Sequence, residues 1–230
     1  MSPQPAQVRQ PISMEALDAA EPVLDPVERV SETCFGLIMA LTFVGSIVAA
    51  EGEDASPHTI FVAALGCNLA WGLVDGVMYL VHTLARRGAR HALARAVHAD
   101  PGPAALPLLR AALPAGLSPA VGDDALAAIA ARMAASPDVV RRPVLRGKDW
   151  LASLLILAVV TVATFPVVLP FVLFQDLQLG LLVSRVLTLA MLLAGGAVIG
   201  RQSGFGAWRA GFLMVAVGVA LTAIVVALGG

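Results

Sequence analysis

One acidic residue lies in the middle of a long apolar stretch of this chain. Asp75 stands within residues 60–84, where most of the other side chains are apolar. A carboxylate at the centre of a hydrocarbon layer costs at least ~2.5 kcal/mol, and acids placed there usually bind or relay ions. The alternative is a structural acid, held by a threonine hydroxyl or a tryptophan indole, that only joins helices to one another.

The residues around Asp75 predict a polar seam if this stretch is helical. Two helical turns return a side chain to almost the same direction, so Asn68 and His82 share a face with Asp75. Met78 and Tyr79 flank that face. The pattern indicates a polar line that follows one side of the helix for most of its length.

A second apolar stretch, residues 33–50, offers a similar combination of side chains. Glu32, Met39 and Ser46 share one helical face by the same spacing. Together with Asp75 and Met78 they supply two carboxylates and two thioethers, a mixed set that favours a borderline divalent transition metal. Calcium and magnesium prefer oxygen ligands alone. Glu32 is equally explained as an ordinary carboxylate at a membrane boundary, and Met39 as core packing.

The overall composition excludes most classes of soluble protein. Of the 230 residues, 58% are hydrophobic and 13% are charged, and the mean hydropathy is +0.84. A soluble domain has roughly 25% charged residues, so this chain lacks the side chains to cover a water-facing surface. Two cysteines exclude a disulfide scaffold, and the apolar content excludes a disordered chain. We therefore expect an integral membrane protein.

Five apolar runs approach or exceed the roughly 20 residues that a membrane-spanning helix needs. They cover residues 33–50, 60–84, 150–174, 179–199 and 205–228. The sequence thus predicts an all-α integral membrane protein with five transmembrane helices and a small helical cytoplasmic insert between the second and third. Its expected parts are an N-terminal cytoplasmic segment (1–30), transmembrane helices 1–2 (31–84), the insert (85–149) and transmembrane helices 3–5 (150–230).

The distribution of basic residues predicts the orientation. Most of the 15 lysines and arginines lie in 85–149, whereas the loop at 51–58 is acidic. Cytoplasmic segments carry the excess of basic residues, so we expect a cytoplasmic N-terminus and insert, an external C-terminus and a multi-pass location in the inner membrane. Within the insert, His91 and His98 are expected on a solvated helix face.

Small residues and prolines mark the last three spans. Gly196 and Gly200, and a second stripe that includes Gly211, predict close helix packing, within one bundle in preference to a dimer seam. Pro166 and Pro170 must remove backbone hydrogen bonds from the third span. That break is explained either by a cavity or by a kink whose free groups are satisfied by neighbouring helices.

One cation stands near the outer end of the fourth span. Arg185 is expected to extend towards the membrane surface or to pair with Asp176 across the turn.

No catalytic motif is present. The chain has no phosphate-binding loop, no Ser-His-Asp arrangement with a recognisable elbow and no Cys-x-x-Cys pair. We expect no enzyme activity, no tightly bound cofactor and no nucleic-acid partner.

The chain resembles the vacuolar iron transporter family from about residue 30 to its end. Residues 30–42 read Val-Ser-Glu-Thr-Cys-Phe-Gly-Leu-Ile-Met-Ala-Leu-Thr, similar to that family's opening, in which Val-Ser-Asp-Gly-Leu leads into Ala-Leu-Thr. Glu32 stands where the family has its aspartate. The Leu169-Pro-Phe element resembles the family's Leu-Pro-Tyr element, and the five spans with an insert after the second follow the family's arrangement.

The resemblance implies a transporter that exports Fe²⁺ or Mn²⁺ from the cytosol in exchange for protons and works as a parallel homodimer. Glu32 and Asp75 would bind metal and release protons, and Met39 and Met78 would be soft ligands on the path. Asn68, Tyr79, His82 and Ser46 would form the supporting polar seam.

One departure from the family concerns the insert. Iron-storing relatives carry several glutamates there, but residues 85–149 contain none, so no glutamate-lined metal cluster is expected. The alternative function is a membrane scaffold or regulator that does not transport. Its basic insert would bind anionic lipid, at about 1 kcal/mol per basic residue near the surface, or a protein partner.

Overall fold

The computed structural model describes residues 26–135, 142–174 and 176–228. All regular elements within these residues are helical, joined by turns and two single 3₁₀ turns. The α-helices are α1 (Pro26–Glu51), α2 (Pro57–Ala99), α3 (Ala105–Ala112), α4 (Asp123–Ala134), α5 (Gly147–Val168), α6 (Pro170–Leu173), α7 (Leu177–Gln202) and α8 (Ala207–Ala227).

Five of these helices are long and apolar enough to cross a bilayer, and they coincide with the five predicted runs. They are α1, α2, α5, α7 and α8. For the residues that the structure describes, the prediction of an all-helical fold with five candidate membrane-spanning helices is confirmed, and it indicates a multi-pass membrane protein. The 43 residues of α2 make a helix about 65 Å long, and hydrocarbon about 30 Å thick accommodates only part of it.

The described residues form two compact units. The bundle unit holds residues 26–80, 147–174 and 176–228, and the insert unit holds residues 81–135 and 142–146. Residues 1–25, most of the predicted N-terminal cytoplasmic segment, lie outside the described residues. Residues 26–30, assigned to the same N-terminal segment, form the beginning of α1.

In the bundle unit α1 packs against α5, α7 and α8. Its buried face contributes Cys34, Leu37 and Ala40 to a core that also contains Val167 and Leu192. This central position explains why α1 is apolar on most of its surface. Glu32 and Met39, on another face of the helix, are half-buried.

The small residues of α7 and α8 bring these two helices into close contact within one chain. A Cβ atom added to Gly196 would lie 2.7 Å from the carbonyl oxygen of Ala210 and 2.9 Å from the Cα of Gly211. One added to Gly200 would lie 2.5 Å from the Cβ of Ala210. Backbones approach this closely only where side chains are small, so both small-residue stripes serve packing within the bundle, as the sequence favoured.

The two prolines of the third span mark the end of one helix and the start of another. Pro166 lies inside α5, which ends at Val168, and α6 begins at Pro170. The buried Ser184 hydroxyl of α7 donates a 2.6 Å hydrogen bond to the Val167 carbonyl oxygen at the break. Pro166 also lines a pocket of about 410 Å³, so the structure supports a cavity beside the break as well as a contribution from the neighbouring helix.

The insert unit has its own apolar core. Val97 from the end of α2, Leu109 from α3 and Leu126 from α4 are all buried in it. His98 is exposed as predicted, but the prediction for His91 is wrong, because only 5% of its surface is exposed. His91 is in line with the buried residues Arg87 and Ala94 on the inward face of the helix, a consequence of tertiary packing that the alternation of charged and apolar residues did not reveal.

Arg110 holds the turn between α3 and α4 in place. Its guanidinium donates hydrogen bonds to the carbonyl oxygens of Ser118 (2.5 Å) and Val121 (3.1 Å) and pairs with Asp123 Oδ1 at 2.6 Å. These three bonds fix a connection that contains two prolines and several small residues. The side chain is 35% exposed, so solvent weakens each bond.

Replacing Arg110 by glutamine should destabilise the insert unit by about 1–2 kcal/mol, because two carbonyls and one carboxylate lose a charged donor. Hydrogen exchange of the α3 and α4 amides measures the effect, and these amides should exchange faster in the variant. Arg95→Gln is the matched control, since Arg95 is exposed and makes no hydrogen bond or ion pair with the described residues. Equal exchange in both variants would show that Arg110 does not hold this turn.

Candidate functional site

The register of α1 against α2 is fixed by one buried amide. Asn68, which is fully buried, donates a 2.9 Å hydrogen bond from Nδ2 to the carbonyl oxygen of Gly36. Two turns nearer the connection, Val44 and Ile60 share a buried cluster. The two helices therefore run antiparallel with Gly36 level with Asn68.

The same amide joins a third helix. Asn68 Nδ2 also donates to Thr164 Oγ1 of α5 at 2.5 Å, and the Thr164 hydroxyl in turn donates a hydrogen bond to the carbonyl oxygen of Val160. Asn68, predicted as part of a supporting polar seam, thus links α1, α2 and α5. Asparagine and threonine side chains commonly join membrane helices in this way.

Two glycines allow α2 and α5 to approach closely beside Asp75. A Cβ atom at Gly72 would lie 3.2 Å from the Cα of Leu157, and one at Gly76 would lie 2.9 Å from the carbonyl oxygen of Ser153. The sequence interpretation singled out the small residues of the last two spans and overlooked this pair. The signal was present as two glycines four residues apart in an apolar helix.

Three buried oxygen atoms of the bundle unit have no hydrogen-bond partner among the described residues. They are Asp75 Oδ2, Asn68 Oδ1 and Thr161 Oγ1. We call these atoms, on facing helices, the α2–α5 seam. Buried polar atoms are normally bonded, so the seam has unused capacity to bind a proton, a water molecule or a cation.

The register places the two predicted carboxylates near the same height in the bundle. Because Gly36 is level with Asn68, Glu32 is level with Gly72 and therefore about 4.5 Å from the level of Asp75 along the helix axis. Asp75 is level with Arg29, so both acids lie towards the end of the bundle where α1 begins. Both side chains are half-buried. The level difference alone allows the two acids to act on one ion.

The two predicted methionine ligands lie at different heights. Met39 is level with residue 65, so Met78 is displaced from it by about 20 Å along the axis. Metal–sulfur bonds are roughly 2.3 Å long, and a single ion therefore contacts at most one of the two thioethers. The heights of the two carboxylates lie between those of the two thioethers, so the four side chains are distributed along the axis of the helix pair.

The remaining predicted residues occupy varied surroundings. Met78 is 42% exposed on the outer side of α2, and Tyr79 packs half-buried against Ala152 and Ile156 of α5. Ser46 donates a 3.1 Å hydrogen bond to the carbonyl oxygen of Thr42 within its own helix. His82 is exposed and belongs to the insert unit.

The described residues contain no group of three or more histidine, cysteine, aspartate or glutamate side chains placed to hold a metal ion. Among the described residues, Asp75 and Glu32 are the carboxylates available to a cation at this level, supplemented by thioether, hydroxyl and amide oxygen. Such a site is open and weak compared with a structural metal centre, which normally has four protein ligands.

The fold and the site together define a multi-pass protein with five apolar helices and a carboxylate within the second of them. Comparison of the chain with protein-family profiles, curated proteins and solved structures finds no match. The resemblance to vacuolar iron transporters therefore rests on the residues quoted above.

Proposed function

We propose that this protein transports divalent transition metal, Fe²⁺ or Mn²⁺, and exports it from the cytosol in exchange for protons. The observation that carries the proposal is Asp75 Oδ2, a buried carboxylate oxygen without a hydrogen-bond partner among the described residues. Leaving such an oxygen bare in an apolar helix costs free energy. A carboxylate that binds a proton and a metal ion in turn would always have its negative charge compensated.

Glu32 supports this assignment by its height in the bundle. Two carboxylates within about 4.5 Å of the same level neutralise one divalent cation and, when it leaves, take up two protons. This balance makes the exchange of one Fe²⁺ or Mn²⁺ for two protons electrically neutral. Met39 and Met78, which lie beyond the carboxylates in opposite directions, would offer a soft ligand as the ion enters and leaves.

A parallel homodimer would complete the coordination of the ion. The described residues of one chain supply no three-residue cluster of the usual ligands, while Met78 and the neighbouring Trp71 are exposed on α2. A two-fold axis beside this surface would bring two copies of Asp75 and Met78 towards each other at the same height. We propose this arrangement for the working transporter.

The proposed orientation has the N-terminus and the basic insert in the cytosol and the C-terminus outside the inner membrane. The excess of arginine in the insert supports it. Metal would then be collected on the side of the insert and released on the side of the short loop between α1 and α2.

Flux into liposomes tests the proposal. The purified full chain is reconstituted into vesicles with an acidic interior that contain a metal-sensitive dye, and Fe²⁺, Mn²⁺ or Ca²⁺ is added outside. We expect Fe²⁺ or Mn²⁺ to enter while the interior becomes less acidic, and Ca²⁺ to remain outside because the site includes thioether. Absence of metal entry, or entry that is independent of the proton gradient, would contradict the proposal.

A scaffold or regulator without transport is the second candidate, and the exposed arginines of the insert unit favour it. Arg86, Arg95 and Arg132 are all exposed there and could bind anionic lipid or an acidic partner. Thermal unfolding with and without metal separates the two functions. A ligand at 100 times its Kd stabilises by roughly 2.7 kcal/mol, so a transporter should gain stability with Fe²⁺ or Mn²⁺ and a scaffold should not.

A further inference from the structure

A groove in the bundle unit combines an apolar wall with a single cation. It has a volume of about 500 Å³ and lies between α1, α7 and α8. Leu41, Leu189 and Val219 provide much of its apolar lining, and Arg185 is the charged residue among the described side chains that line it. We call it the Arg185 groove.

Polarity changes along the length of this groove. Arg185 lies beside the end of α8, where Ala227 also lines the groove. From there Ala223 and Val219 follow one another along α8, and Leu41, 5% exposed, belongs to the inner part near Gly218. One end is therefore cationic and the rest is apolar.

Arg185 has no ion pair in the described part of the chain. Asp176, the acid expected to pair with it, instead accepts hydrogen bonds from the backbone N–H groups of Gln178 (2.9 Å) and Leu179 (3.4 Å) at the start of α7. The nearby Thr222 hydroxyl donates to the carbonyl oxygen of Gly218 in its own helix. The guanidinium is exposed and available to a ligand from outside the chain.

We propose that the Arg185 groove binds one anionic phospholipid, with the headgroup phosphate on Arg185 and an acyl chain along Leu189 and Val219. Charge complementarity selects the headgroup, because a guanidinium binds phosphate with two parallel hydrogen bonds. The apolar lining selects the tail. Val219 is half exposed, so the groove is open at the side from which a lipid in the bilayer would enter.

Native mass spectrometry of the full chain with added phosphatidylglycerol or phosphatidylcholine tests the proposal. Wild type should retain one tightly bound phosphatidylglycerol molecule that has no counterpart when phosphatidylcholine is added instead. Arg185→Gln should weaken that binding about tenfold, the loss expected if the glutamine amide keeps one of the two hydrogen bonds to the phosphate. Arg201→Gln, at the other end of the same helix, should leave it unchanged and controls for lipid attracted by exposed arginines elsewhere.

Two further variants separate the headgroup from the tail. Arg185→Lys keeps the charge and should restore part of the binding, whereas Ala223→Phe should abolish it by filling the groove while Arg185 is intact. Inorganic phosphate at the same concentration should not raise the melting temperature, because it lacks a tail. Equal lipid binding in wild type and Arg185→Gln, unaltered binding in Ala223→Phe, or stabilisation by phosphate equal to that by lipid would each overturn the proposal.

Discussion

Replacing Asp75 by asparagine should abolish metal flux and make the protein more stable. A carboxylate within a membrane helix costs free energy, and Oδ2 gains no hydrogen bond to the described residues in return. The neutral amide has almost the same shape and avoids most of that cost. We therefore expect flux at least tenfold lower in liposomes, together with a higher melting temperature in detergent.

The opposite signs of these two effects distinguish the proposed role from a structural one. If Asp75 joined helices by satisfied hydrogen bonds, Asp75→Asn would lower the melting temperature. If it bound neither metal nor protons, flux would not change. Asp124→Asn makes the same chemical change at an exposed position in the first turn of α4 and should leave flux as in wild type.

Replacing Gly76 by alanine should destabilise the bundle and disturb the site. The new methyl group would lie 2.9 Å from the carbonyl oxygen of Ser153 and 2.7 Å from its Oγ. The hydroxyl can rotate away, but the carbonyl belongs to the backbone of α5, so α2 and α5 must separate. Overpacking of this kind costs about 1–3 kcal/mol, and flux should fall because Asp75 moves with α2.

Gly66→Ala is the matched control for this change. Gly66 lies in the same helix, and a Cβ atom there has no neighbour within 4 Å. Alanine replaces glycine in a helix with a gain of about 0.5–1 kcal/mol, so this variant should be as stable as wild type or more so. Adding Ser153→Ala to Gly76→Ala should not restore stability, because the carbonyl contact remains. Full rescue by that double variant would locate the strain in the hydroxyl instead.

The five apolar helices could be predicted from the sequence because their signal is local. A run of apolar residues long enough to cross the hydrocarbon layer can be recognised without knowing which helices pack against it. The end of α2 at Ala99 is similarly local, since prolines follow at 101 and 103. Arg110 is a contrasting case, because its partners at Ser118, Val121 and Asp123 depend on how the chain turns after α3.

The candidate site could be predicted only in part. The presence of Asp75 and Glu32 on apolar helices follows from spacing, but their heights depend on the contact between Asn68 and Gly36. The 20 Å displacement of Met39 from Met78 depends on the same register. Thr161 is another example, since its hydroxyl becomes part of the seam only when α5 faces α2. Contacts between distant parts of the chain cannot be predicted from the helical spacing of residues within one segment.

The hydrogen bond from Ser184 to the Val167 carbonyl has a consequence for biosynthesis. The two residues are 17 positions apart, and ribosomes add about 5–20 residues per second. For about one to three seconds, therefore, the proline break of α5 has left the ribosome while the serine that bonds to it is still inside. We expect the third span to stay beside water or protein for that interval and to enter the lipid as a hairpin with α7.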